Sequence, residues 1–175
     1  PTDYTVLPGS TGYIDVKVGA ANDTTSGYAL ETFSGLKLII AAPITQVTSM
    51  AVETYGTKLT LEKGVVTYDK VKGELTVDYN TLSKTYNFKD NDTLFKIKTT
   101  VASGLANAVK IPITLKTGSY IKDKKVTGSY TAREPSFSPG SIKVQTVPSS
   151  VSCTSGSYDS TQKKCVCSTG YTGTL

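Results

Sequence analysis

The sequence predicts an all-β chain: a jelly-roll or immunoglobulin-like β-sandwich of about nine to ten strands, carrying a small disulfide-stapled C-terminal tail. Three observations predict it. The 175 residues contain no Trp but are rich in Tyr, Thr, Val, Ser and Gly, a strand-and-turn composition. Short runs of period-2 alternation recur between turn residues along most of the chain. Helical periodicity is nearly absent, the one candidate being TTVASGLANAV near Ser103–Ala108, where Gly104 argues for a loop or one turn.

In chain order, residues 1–11 (PTDYTVLPGST) read as an extended N-terminal segment, broken by Pro8 and Gly9. Strands are predicted over Gly12–Gly19, Leu36–Ala42, Ile44–Glu53, Lys58–Leu61, Val65–Val71 and Glu74–Tyr79. Further strands are predicted over Thr93–Val101, Val109–Lys116, Val126–Ala132 and Ser141–Val147. The clearest hairpin is VVTYDKVKGELTVDY, turning near Lys72 and Gly73, with Val66 and Tyr68 facing inward beside Leu75, Val77 and Tyr79. Pro112 lacks an amide donor and places its strand at an edge or a bulge. EPSFSPG, from Glu134 to Gly140, leads into the closing strand. Composition changes after Val147, which sets four regions: 1–11, the sandwich at 12–147, a linker at 148–152 and a cysteine-rich segment at 153–175.

Composition also excludes functions. With no histidine there is no Ser-His-Asp triad, no Cys-His pair and no imidazole proton shuttle. What remains for an enzyme is a carboxylate pair, such as Glu53 with Glu62 or Asp69 with Asp78, and the expectation is no enzyme. The net charge of +5 is spread over lysines on alternate strand positions, as at Lys96 and Lys98, with Arg133 the one arginine. That is a solvated face and not a nucleic-acid footprint, so no nucleic-acid partner is expected. The apolar run Leu38–Ile44 is too short to span a bilayer and is broken by Pro43. No charged-then-apolar leader opens the sequence, and a start at Pro1 fits a leader already removed.

The succession GYIDVKVGAA, SGLKLIIAAPITQVTSMAV, VTYDKVKGELTVDY, DNDTLFKIKTTVASGLANAVKIPITL and PGSIKVQ resembles the bacterial cohesin-type domain of cellulosomal scaffolds over Gly12–Gln145. Its core pattern falls here on Phe95, Ile97, Ile111 and Ile113. The resemblance implies a flattened nine-stranded jelly roll that holds a calcium-dependent dockerin on one face. Where family members carry Tyr-Asp-Pro after the first core strand, this sequence has Ala41, Ala42 and Pro43, and no dockerin fingerprint matches residue by residue.

In the tail, Cys165-Val-Cys167, five residues, Gly173 and two further residues resemble the close of an EGF-like module whose next residue would be cysteine. Neighbours in Cys-x-Cys rarely bond each other because the ring is strained. One pairing open to Cys165 is Cys153, a loop worth about 3 kcal/mol, with Cys167 then awaiting a partner beyond Leu175. Free thiols and metal binding are the alternatives; zinc would require more ligands than this tail holds. Such a framework belongs to an oxidising, extracellular or cell-surface setting.

No cofactor is expected, with calcium as the one ion suited to the oxygen donors Asp90, Asn91 and Asp92. Asn22 and Asn91 each open an Asn-x-Thr sequon. The sequence thus supports a non-enzymatic protein-interaction or adhesion module, its partner a protein or a second copy. A filament subunit assembled by strand exchange through residues 1–11 is the alternative. A glycan-binding or glycan-acting module, using exposed tyrosines, is a further one.

Overall fold

The structure, a computed structural model, describes residues 4–19, 30–62, 64–79, 82–122, 132–135, 138–145, 156–159 and 164–167. Every regular element among them is a strand. In chain order these are β1 (Tyr4–Val6), β2 (Thr11–Lys17), β3 (Leu30–Phe33), β4 (Gly35–Ala41), β5 (Val47–Tyr55) and β6 (Val65–Asp69). Next come β7 (Glu74–Tyr79), β8 (Tyr86–Lys89), β9 (Thr93–Val101), β10 (Lys110–Pro112), β11 (Thr114–Leu115) and β12 (Tyr120–Lys122). The last are β13 (Ala132–Arg133), β14 (Ser141–Val144), β15 (Gly156–Asp159) and β16 (Lys164–Cys167).

One layer of the sandwich is a sheet in the order β13-β12-β4-β7-β6, with β11 also on β4. The other is made of β2-β9-β5 and β1-β14-β10. These two meet where β1 passes β2: a Cβ on Gly12 would come within 2.7 Å of Val6, so glycine permits the approach. Alternation decides what each strand buries. Leu36, Leu38 and Ile40 of β4 and Leu75, Val77 and Tyr79 of β7 point inward from the first layer. Val47, Met50, Phe95, Ile97, Val101, Ile111, Ile142 and Val144 meet them from the second. Each such side chain contributes about 1.5–3 kcal/mol by leaving water. At one end β3 pairs β8, and the stacked rings of Phe33 and Phe88, 4.2 Å apart, close the core.

Several expected elements take another form. Lys58–Leu61, expected as a strand, is a turn because the Gly56 carbonyl accepts from the amides of Leu59 and Thr60. Gly56 itself lies so close to the Thr93 carbonyl that no Cβ fits there, which fixes the turn's position. The strand expected to start at Ile44 begins at Val47, since the Pro43 carbonyl first captures the amides of Gln46 and Val47 in a turn. Val109–Lys116 is not one strand. It divides at Ile113, with β10 in one layer and β11 in the other, so Pro112 marks a crossing between sheets. Ser103–Ala108 is turn and coil, with Ala108 at φ 64°. β3 and β8 were not expected, because Leu30–Phe33 and Tyr86–Lys89 are short and carry little alternation. Most of Val126–Ala132 lies outside the described residues.

Tyr4–Val6, within the segment expected to extend from the domain, pairs in parallel with β14 and buries Val6 in the core. In the tail, β15 and β16 form their own antiparallel pair, with Cys165 opposite Tyr158 and Cys167 opposite Gly156. Cys153 lies outside the described residues. Among the described residues no helix is long and apolar enough to cross a membrane.

Candidate functional site

The two outer faces differ in chemistry. On β2-β9-β5 the lysines of β9 are answered from the neighbouring strands: Lys96 lies 3.7 Å from Asp15, and Lys98 lies 3.8 Å from Glu53. This face is therefore locally neutral, and its sheet is irregular, with register shifts at Val16/Lys17, Val47/Ser49 and Val52/Thr54.

The outer face of β12-β4-β7-β6 is regular, because β4–β7 and β6–β7 pair without a shift. Pleating presents the residues between the buried ones in rows across the sheet. One row runs Tyr120, Lys37, Asp78, Val65, and the next Ile39, Thr76, Thr67. A third runs Thr114, Ala41, Glu74, Asp69. Acidic residues thus lie on β6 and β7, basic ones on β4 and the strands beside it, and an uncharged row separates the charged ends. Lys116 reaches Glu74 at 3.9 Å, and the Lys122 ammonium sits 5.7 Å from the Tyr120 ring centre.

Two features set this face. Between β11 and β12 the chain leaves β4 for a turn at Gly118, where φ is 90°. There the Ser119 hydroxyl accepts from the Ile39 amide and donates to the Lys116 carbonyl, replacing the missing backbone partner. Asp78 Oδ1 is buried without a hydrogen-bond partner, in the row that also holds Lys37 and Tyr120. Burial, and then the Asp78 charge, push the Tyr120 phenol upward.

The sequence-predicted sites fare differently. Asp90, Asn91 and Asp92 occupy the turn between β8 and β9. The Asp92 carboxylate accepts from Lys58 and from the Lys89 amide, while Asn91 Nδ2 donates to Asp90 at 2.7 Å. The Lys58 bond, outweighing partial burial, holds the Asp92 carboxyl below its ordinary value. Among the described residues no three Cys, Asp or Glu side chains gather as a metal site. Asn91 is exposed at φ 66°, whereas Asn22 lies outside the described residues. Neither carboxylate pair considered for catalysis is assembled. Glu53 serves Lys98, Glu62 accepts from Ser83 and Tyr86, and Asp69 and Asp78 face Glu74 and Val65 at opposite ends of the β6–β7 pair.

Sequence reasoning missed the Glu62 cluster. Its partners lie twenty-one and twenty-four positions away, a separation no local pattern shows. Burial raises the Glu62 carboxyl, but hydrogen bonds from Ser83 and Tyr86, with the Lys84 charge, outweigh this and hold it low. Between the layers, a cleft of about 810 Å³ is lined largely by aliphatic residues such as Val16, Leu38, Ile40, Ile113 and Ile121. Two carboxylates also line it: Asp15 is paired with Lys96, and Asp90 accepts from Asn91.

No family model matches the chain, and no curated protein matches it. Solved structures do. The seventh type I cohesin of scaffoldin B from Pseudobacteroides cellulosolvens superposes with a TM-score of 0.60 at 13% identity, over 83% of this chain and 89% of that one. The sixth cohesin of scaffoldin B from Acetivibrio cellulolyticus, solved with a dockerin, gives 0.57 at 15% identity, over 82% and 94%. A non-cellulosomal cohesin from the archaeon Archaeoglobus fulgidus gives 0.53 at 17% identity, over 81% and 86%. At this identity the likeness is one of fold, and the fold is that of cohesin domains.

Proposed function

We propose that this chain is a non-enzymatic protein-recognition module of a secreted or cell-surface protein, binding its partner on the outer face of β12-β4-β7-β6. The regular, charge-divided face carries this reading. A polar sheet face with a half-buried apolar centre at Ile39 offers charge and apolar surface for docking. The similar fold of a cohesin solved with a dockerin supports a protein of that kind as partner, and an extracellular setting suits a module of such architecture. Donation of residues 1–11 to a neighbouring subunit is less favoured, since Val6 would first have to leave the core.

The test is binding of the purified chain to a panel of dockerin domains by calorimetry, with and without calcium. Thr76→Arg places a bulky charge at the centre of the face and should weaken binding at least about tenfold. Lys143→Glu, on another sheet, should leave it unchanged. Binding that survives Thr76→Arg would place the partner elsewhere. Retention on a glycan array with no protein bound would favour the carbohydrate reading.

A further inference from the structure

Natural sheets protect their edge strands by shortness, bulges, proline or lysine, because an open row of amides and carbonyls recruits another strand. The edge strands of both layers show such devices, with one exception. β5 carries two register shifts, β10 contains Lys110 and Pro112, β2 has a bulge at Val16/Lys17, and β13 has only two residues. β6, with the sequence VVTYD, has no lysine, proline or bulge, and pairs regularly with β7 on one side.

The apolar surface points to the same edge. Six large apolar side chains are exposed among the described residues, and four lie on β6 or at the turns that flank it. Val65 lies on β6 and is 65% exposed; Leu61 precedes it at 91%, and Val71 follows in the hairpin turn at 83%. Ile44 lies beside Gly73 of the same turn, where an added Cβ would meet it at 2.7 Å. A solvated edge has no use for this concentration of apolar surface.

We propose that β6 is a self-association edge, along which two copies of this chain pair antiparallel about a two-fold axis at Val66. The edge is complementary to itself in this register. Val66 meets its own copy and Val65 meets Thr67. In the flanking turns Leu61 comes to Val71, and Glu62 comes to Lys70. Glu62 is a fixed anion, since Ser83 and Tyr86 hold its carboxylate in place and keep it ionised. Moving the axis to Thr67 would set Leu61 against Gly73 and lose the apolar match. Opposite charge at the two ends of one edge is what favours a second copy over an unrelated strand. The resulting sheet would run continuously through both molecules, leaving the recognition face of each on its surface.

Sedimentation over a concentration series up to about 1 mM reads the dimer constant, and amide exchange locates the contact. A concentration-dependent dimer is expected, with slowed exchange confined to β6 amides. Val65→Lys, a natural edge guard at an exposed position, should weaken it at least about tenfold without lowering Tm. Lys70→Glu, which opposes Glu62 with a like charge, should weaken it independently. Thr76→Arg, which tests the recognition face, should weaken partner binding and spare the dimer. A monomer at every concentration, a dimer indifferent to Val65→Lys and Lys70→Glu, or β6 protection seen only with a foreign peptide would each overturn the proposal.

Discussion

The Lys58–Asp92 ion pair ties the turn after β5 to the turn before β9, and it sets a pH dependence. Lys58 also lies 5.1 Å above the Phe88 ring, so one ammonium anchors both the carboxylate and the end of the core. Because the Asp92 carboxyl is held low when folded, its contribution is present above the unfolded value of about 3.9 and is lost as pH falls through the folded value. Glu62 follows the same sign. Melting curves should therefore fall steeply from about pH 4 downward, and Lys58→Met should lower Tm at neutral pH while flattening that acid decline. A decline unchanged in Lys58→Met would assign the acid sensitivity elsewhere. Since Asp92 is already engaged, adding calcium should leave Tm unchanged; a rise would show an ion site at this turn. Gly73 is a second position of this kind. It combines φ of 68° with an Ala42 carbonyl 2.4 Å from any added Cβ, so Gly73→Ala should cost more than about 1–2 kcal/mol in urea denaturation.

At the scale of elements, hydrophobic alternation is what the sequence displays, and strands that alternate are the ones it reveals. β7 buries every second residue, β9 does so from Phe95 onward, and their bounds are legible to the residue. β3 and β8 escape notice because their stability comes from the Phe33–Phe88 stack, a contact between residues far apart in the chain. Phe88→Ala should cost about 3–5 kcal/mol, and loss on that scale in thermal or urea unfolding would confirm that these short strands depend on the ring pair. The division at Ile113 was hinted at by Pro112, but which layer each half joins depends on β4 and β14, not on local sequence. The face proposed for recognition was invisible for a related reason. Lys37, Thr76 and Asp78 look like ordinary solvent-facing positions until the register of three strands sets them in rows. In the tail, the cysteine spacing remains a sequence motif, as Cys153 falls outside the described residues.

For the whole molecule, the fold separates two surfaces that a linear reading merges, a sheet face and a sheet edge, and the two proposals rest on them separately. The consequence of the β1–β14 pairing is mechanical. These strands lie near the two ends of the sandwich sequence and run parallel, joined over Tyr4–Val6 and Ile142–Val144. A pull applied at Tyr4 and Val144 in opposite directions loads all of their hydrogen bonds together, in shear. A pull applied across the β6–β7 hairpin opens its ladder one rung at a time. Single-molecule stretching should therefore find a higher rupture force between residues 4 and 144 than between residues 65 and 78, where the load peels. Val6→Pro, which removes an amide from the sheared pair, should lower the first force and leave the second. On this geometry the domain is expected to be harder to draw out along its chain than to peel open at the β6–β7 hairpin.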